Sequence, residues 1–264
     1  MTTPPLLTDL PACAGLQNHA ERLRSVSVET LFNDDPGRAG VFSVAAAGLH
    51  LDYSKQLMDR AAREALLTLA DEAGLRERIR ALLGGEAVNN TENRPALHTL
   101  LRAAAGDGLA DKFQEVAATR ERMRQWAERL NSGEHCGYSG AAITDVVNIG
   151  IGGSDLGPRL VTEALQPFHG PVACHYVANV DPADLQSTLA SLRPETTLFI
   201  VCSKSFRTEE TLSNSLAARA WMLAGGAREQ DLDRHFLAIT TNLEAASAFG
   251  ISPDNCLPLW DWVG

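Results

Sequence analysis

The chain has 264 residues, 45% of them hydrophobic, and 33 acidic side chains against 23 basic ones, for a net charge of −10 and an isoelectric point near 5.2. That is enough apolar material for one or two cored domains, and the acidic balance excludes a general nucleic-acid binder, which shows as a basic stripe or patch. A local anion site is still permitted, because a few backbone N–H groups create one inside an acidic protein.

Residues 1–5, Met1-Thr2-Thr3-Pro4-Pro5, lack the basic and apolar regions of a secretory signal. No run of about 20 apolar residues is present to span a membrane. The five cysteines, at 13, 136, 174, 202 and 256, are odd in number and contain no CxxC pair. They favour a reducing, cytoplasmic setting over a disulfide framework. The seven histidines show no zinc-like spacing, so no metal is expected.

The first half reads as helical. Over residues 55–83, Leu57, Ala61, Ala65 and Leu69, then Leu75, Ile79 and Leu82, recur at helical spacing until Gly84-Gly85 stops the run. A short helix is predicted from 95 to 101, and a longer one over 109–130 with Phe113, Val116, Met123, Trp126 and Leu130 along one side. The Gly- and Ser-containing stretch 132–140 then forms a loop. These features predict a mainly helical segment over residues 1–134.

From residue 135 the texture alternates. Strands are predicted at 145–151, 172–180, 197–202, 235–240 and 255–259, with helices at 155–165, 183–192, 208–224 and 243–249 between them. The strands are continuous apolar runs, as expected where helical crossovers cover both faces of a sheet. The expectation for 135–264 is therefore an α/β domain, a doubly wound five-stranded parallel sheet. The chain ends on Trp260-Asp261-Trp262-Val263-Gly264. A terminus is ordinarily polar and frayed, so this aromatic run reads as one cut in mid-structure, and the α/β domain as C-terminally truncated.

Two strand-to-helix loops carry unusual chemistry, and in such sheets ligands bind beyond the carboxyl ends of the strands. The first is Asn148-Ile149-Gly150-Ile151-Gly152-Gly153-Ser154-Asp155-Leu156-Gly157-Pro158. Its glycines permit tight turns and close approach of a ligand, and Ser154 is placed where a helix N-cap belongs, beside unpaired N–H groups that suit a phosphate. The plainer reading is a tight turn with a serine cap. The second is Cys202-Ser203-Lys204-Ser205-Phe206-Arg207-Thr208-Glu209-Glu210-Thr211. Its hydroxyls donate to phosphate oxygens and Lys204 adds a point charge; the plainer reading is a polar loop in which Ser203 or Thr208 caps the helix. The loops follow the first and third strands and so face each other across a switch point. A dinucleotide fingerprint is excluded because Asp155 stands where GxGxxG needs its third glycine, and no P-loop is present.

These segments resemble the glucose-6-phosphate isomerase family. Asn148 to Pro158 looks like its signature loop, and Ser203 to Thr211 resembles its Ser-Lys-Thr-Phe-Thr-Thr-Gln-Glu-Thr loop. Thr91-Glu92-Asn93-Arg94-Pro95-Ala96-Leu97-His98-Thr99, Asp52-Tyr53-Ser54-Lys55 and Trp260-Asp261-Trp262-Val263-Gly264 are similar to three further family segments, in the same order. The resemblance implies a sugar-isomerase-type domain whose Gly153, Ser154, Ser203, Lys204, Ser205 and Thr208 hold the phosphate of a sugar substrate. It implies a cytoplasmic, homodimeric isomerase of glycolysis and gluconeogenesis that interconverts an aldose and a ketose phosphate through a cis-enediolate without a cofactor. The family's catalytic base and its other catalytic groups lie beyond the matched segments, so no catalytic residue is assigned, and the chain alone is expected to be inactive. Ser205, Arg207 and Glu209 replace the family's threonine, threonine and glutamine. A non-catalytic sugar-phosphate-binding module is the alternative.

Overall fold

A computed structural model describes residues 6–103 and 109–263; the expectations for residues 1–5 and Gly264 lie outside that set. The chain forms two compact units, Met1–Pro95 and Ala96–Gly264. The first contains α1 (Pro11–Leu23), α2 (Val28–Asp34), α3 (Arg38–Val41), an antiparallel hairpin of β1 (Ser43–Ala46) and β2 (Leu49–Asp52), then α4 (Arg60–Glu72) and α5 (Leu75–Leu83). The run expected as one helical stretch over 55–83 is thus two helices. Gly74 separates them in the left-handed region, at φ 65°, a conformation that costs glycine little. Ala62, one position from the expected face, is buried with Leu23 and Leu31, while Leu57, Leu75 and Ile79 stay exposed. Arg38 is buried: its Nε and Nη2 donate to the Ser54 and Gln56 carbonyls at 2.6 and 2.7 Å, and its guanidinium lies over the Phe42 ring.

The second unit opens with a short 3-10 helix, His98–Arg102, within and just beyond the 95–101 stretch where a short helix was expected, and continues with α6 (Ala110–Asn131). The alternation follows: β3 (Asp145–Ile149), α7 (Gly153–Ala164), β4 (Ala173–Val177), α8 (Pro182–Leu189), β5 (Thr197–Cys202), α9 (Glu209–Ala224), β6 (Phe236–Thr240), α10 (Leu243–Phe249) and β7 (Cys256–Pro258). The sheet is five-stranded, in the order β4-β3-β5-β6-β7, and every pairing is parallel. The order reverses between β3 and β5, which pair with Asn148 beside Ile200 and Ile149 beside Val201. That is the topological switch point of a doubly wound sheet.

Alternation along the strands divides the core. Val147, Ile149, Phe199, Val201, Phe236 and Ala238 pack on one face with Leu185 and Leu189 of α8, Met222 of α9 and Ala246 of α10. Val146, Leu198 and Leu237 form the other face with Trp126 and Leu130 of α6. Val116 of α6 is buried with Leu97, Leu100 and Trp262, whereas Met123, expected on the same stripe, is exposed. Through these contacts α6 belongs to the second compact unit, so the units divide at 95/96, while the change of texture near residue 135 marks where the strands begin. The terminal aromatics are packed as well: the Leu97 N–H donates to the Trp262 carbonyl at 2.8 Å and Trp260 stacks on Trp262.

Candidate anion site

The first loop leaves β3 through Gly150, whose N–H donates to the Val177 carbonyl of β4 at 3.2 Å. A Cβ on Gly150 would stand 2.8 Å from both Cβ and the carbonyl oxygen of Ser154, so only glycine lets the chain fold back this tightly. Gly152 is the N-cap of α7, at φ 59°, and no side chain caps the helix. Ser154 therefore lies within the first turn and not at the N-cap expected for it. Beside Gly153 the space is open, with no atom within 4 Å of where a Cβ would be.

Ser154 is held through its carbonyl. Pro158, four residues on, has no N–H to give the Ser154 carbonyl, and the buried Asn148 side chain donates to that oxygen instead, at 2.9 Å. The Ser154 side chain also acts on the Cys202 thiol at the end of β5, where the second loop begins. Burial raises the Cys202 thiol above its ordinary pKa, and the Ser154 side chain opposes that rise.

The second loop is built around Phe206. Its φ of 53° is unusual for an aromatic residue. Its ring is buried and meets Phe249 edge to face, so core packing sustains the turn. On either side of this anchor, Lys204, Ser205, Arg207 and Thr208 are exposed. Ser203 is buried and its hydroxyl lies 3.1 Å from that of Thr208. The Lys204 carbonyl accepts from the Thr241 N–H at 2.9 Å and from the Thr240 and Thr241 hydroxyls at 3.0 and 2.7 Å. Asn242 donates to the Ser205 carbonyl at 3.1 Å. The Lys204 backbone is thus clamped by the loop after β6, while its ammonium has no ion-pair partner among the described residues.

Thr208 is the N-cap of α9, but its side chain makes no capping bond. The contrast within the sheet is informative. Asp181 and Asn242 cap α8 and α10 with their side chains, whereas α7 and α9, which start from the adjacent central strands, are uncapped. The first-turn N–H groups of α9 face an outside acceptor, and so does the Gly153 N–H of α7, whereas the Ser154 and Asp155 N–H groups already donate to the Ile151 and Gly152 carbonyls at 3.2 and 3.0 Å; both helices present a positive dipole end there. Glu209 and Glu210 occupy the first turn of α9, where acidic side chains are favoured by the dipole.

Of the six residues predicted from sequence, Gly153 and Ser154 belong to one loop and Ser203, Lys204, Ser205 and Thr208 to the other, and the switch point sets the loops side by side. Sequence reasoning missed two supports: Asn148 and the Thr240-Thr241-Asn242 clamp. The last had a visible signal, since hydroxyls and an amide directly after a strand are turn and cap formers.

Fold and site together define an open, doubly wound α/β protein with its candidate ligand loops at the switch point. A family model described as phosphoglucose isomerase matches residues 52–264. A Pseudomonas syringae protein named glucose-6-phosphate isomerase is 48% identical over 267 residues, covering 99% of this chain and 48% of its own length. A protein of the same name from Saccharophagus degradans is 50% identical over 250 residues, covering 94% of this chain and 46% of its own. The crystal structure of a glucose-6-phosphate isomerase from Chlamydia trachomatis superposes with a TM-score of 0.79 at 24% identity, covering 98% of this chain and 50% of that one; that likeness speaks for the fold alone. The chain belongs to the phosphoglucose isomerase family, and it spans about half the length of the curated relatives it matches.

Proposed function

We propose that this chain is the sugar-phosphate-binding part of an aldose–ketose isomerase that interconverts glucose 6-phosphate and fructose 6-phosphate. Gly153, Ser154, Ser203, Lys204, Ser205 and Thr208 hold the phosphate. The observation that carries the reading is the pair of uncapped helix N-termini at the switch point, beside α8 and α10 whose caps are filled. A dianionic phosphate ester supplies an acceptor for the Gly153 N–H and for the first-turn N–H groups of α9, and suits the positive end of both dipoles. The Ser203 and Thr208 hydroxyls, already within reach of each other, are able to turn their protons to it, and the exposed Lys204 ammonium adds charge.

Holding the phosphate places the sugar carbons beyond the sheet edge. Isomerisation there removes the proton from C2 and returns it to C1 through an enediolate, with the C1 oxygen ending as hydroxyl and the C2 oxygen as carbonyl. This needs a base within hydrogen-bond reach and an electrostatic partner for the developing oxyanion. As the family resemblance implies, the base is placed in the part of the family protein beyond the matched segments, and no carboxylate or histidine of this chain is assigned that role. Cytoplasmic location and homodimeric assembly of the whole protein belong to the same proposal. The rival reading, a binding-only module, shares the cradle and differs in needing no base.

Calorimetry with fructose 6-phosphate and with fructose tests the cradle. Hydrogen bonds to charged groups contribute about 1.5–3 kcal/mol each. Ser154→Ala with Thr208→Ala is therefore expected to weaken the phosphate ester by at least about tenfold and to leave fructose unchanged. Equal affinity of the double variant and the native chain for the ester would sink the assignment. A turnover assay on the same protein is expected to show none; clear turnover would put the base within residues 1–264.

A further inference from the structure

The connection from α6 to β3, residues 132–144, lies at the amino end of the sheet, away from the candidate anion site. It folds on itself through a bridge between Cys136 and Ala142 and a Gly137 N–H to Ala141 carbonyl bond of 2.9 Å. Two buried histidines then fasten it, from opposite sides. His135, in the connection, directs Nε2 to the Arg234 carbonyl at 2.8 Å, and its Nδ1 lies 3.3 Å from Nη2 of Arg129. Its ring meets Trp126 of α6 edge to face. His235, the next residue after Arg234, directs Nδ1 to the Thr197 carbonyl at 2.6 Å, while its Nε2 accepts the Tyr138 N–H at 2.9 Å.

Each ring therefore has one nitrogen donating to a carbonyl and the other facing a donor. Only a neutral imidazole satisfies that pattern. Gly137 shows how closely the pieces fit: a Cβ there would stand 2.1 Å from the Glu195 carbonyl and 2.6 Å from Cε1 of His235.

We propose that His135 and His235 form a pH-sensitive staple, which holds the α6–β3 connection against the sheet while both rings are neutral and releases it when they are protonated. A second proton on His235 would point an N–H at the Tyr138 N–H, and on His135 an N–H at the Arg129 guanidinium. Among the surrounding charges Asp231 favours a charged His235, but burial outweighs it. Arg129 of α6 and Arg234 of the turn before β6 are cationic. The acids nearby have partners: Glu134 of the connection lies 3.8 Å from Arg129, Glu195 before β5 lies 4.0 Å from Arg193, and Asp231 pairs with Arg228 at 2.8 Å.

Burial lowers the pKa of both histidines, the hydrogen bonds to carbonyls opposing it. The open state, with pKa values near about 6.5, therefore binds more protons than the closed one. The staple is fully effective above that value and weakens as pH falls through it, by up to about tenfold in the opening equilibrium per pH unit for each ring.

Amide hydrogen exchange on the full 264-residue chain, corrected for intrinsic rates and compared at about pH 7.5 and 5.5, tests this. Protection of residues 133–142 is expected to fall by about tenfold or more while β5 stays protected. A loop that keeps its protection, or that loses it only in step with β5, overturns the staple. Titration of the two rings by NMR gives the second measurement, which needs no variant. The rings are expected to take protons only as the loop opens; rings that titrate at the ordinary value inside a protected loop overturn it too. In a folded His235→Gln variant, the pH dependence of loop protection should shrink by the share of one ring.

Discussion

At the scale of single residues, the candidate site turns on the Ser154 carbonyl. Pro158 withdraws the helical donor that this oxygen would normally receive, and Asn148 replaces it from the neighbouring strand. The replacement links strand, loop and helix at one point, which a regular helical bond would not do. Removing one partner of a buried hydrogen bond costs about 1–3 kcal/mol, so Asn148→Ala is expected to lose that much stability in denaturant melts. Pro158→Ala restores an N–H four residues after Ser154 and should recover part of the loss, giving a coupling of about 1 kcal/mol in a double-mutant cycle. Strictly additive effects would mean that the two residues do not serve the same oxygen. Neither partner was recognisable from the sequence as a pair. Asn148 reads there as the last polar residue of a strand and Pro158 as an early helix residue, and only the tight turn at Gly150 brings them to one atom.

The elements themselves were largely legible. Covered parallel strands are continuous apolar runs, and β3, β5 and β6 begin and end within two residues of where those runs do. Chemistry at the strand ends was legible too, because glycines and hydroxyls cluster where the turns must be. Less visible were features set by packing. The 55–83 run splits at Gly74, and helical spacing alone does not show which residue adopts the left-handed region. The buried face of α4 is displaced by one position, since its neighbours, not its own periodicity, choose it. The tightest element junction is the β3–α7 turn. Gly150→Ala places a methyl 2.8 Å from backbone and side chain of Ser154. It is expected to cost about 1–3 kcal/mol of stability and to weaken sugar-phosphate binding along with it. Unchanged stability and affinity would show that the loop has room to shift, and that its glycine is not what shapes the site.

Across the whole molecule, apolar burial is uneven. In the second unit, α8, α9 and α10 cover one face of the sheet closely, and the strand residues Val147, Ile149, Phe199 and Ala238 beneath them are fully buried. On the α6 side, α7 leaves Leu156, Leu160, Val161 and Leu165 at least half exposed, and Phe168 just beyond it is 81% exposed. In the first unit Leu49 is 75% exposed, and Val44, Leu51, Leu67 and Leu83 are half exposed or more. Burying a side chain of this size is worth about 1.5–3 kcal/mol, and contiguous apolar surface of this kind drives association. The net charge of −10 opposes association, but salt screens it beyond about 10 Å at moderate ionic strength. The chain is accordingly expected to self-associate as concentration and salt rise, seen by sedimentation velocity, and to bind an apolar dye while folded. Replacing Leu160 and Phe168 by Glu should reduce both effects with little change in melting temperature, because neither side chain contributes to the core. A native chain that stays a monodisperse monomer in high salt, without dye binding, would mean that these residues are too dispersed to act as a surface.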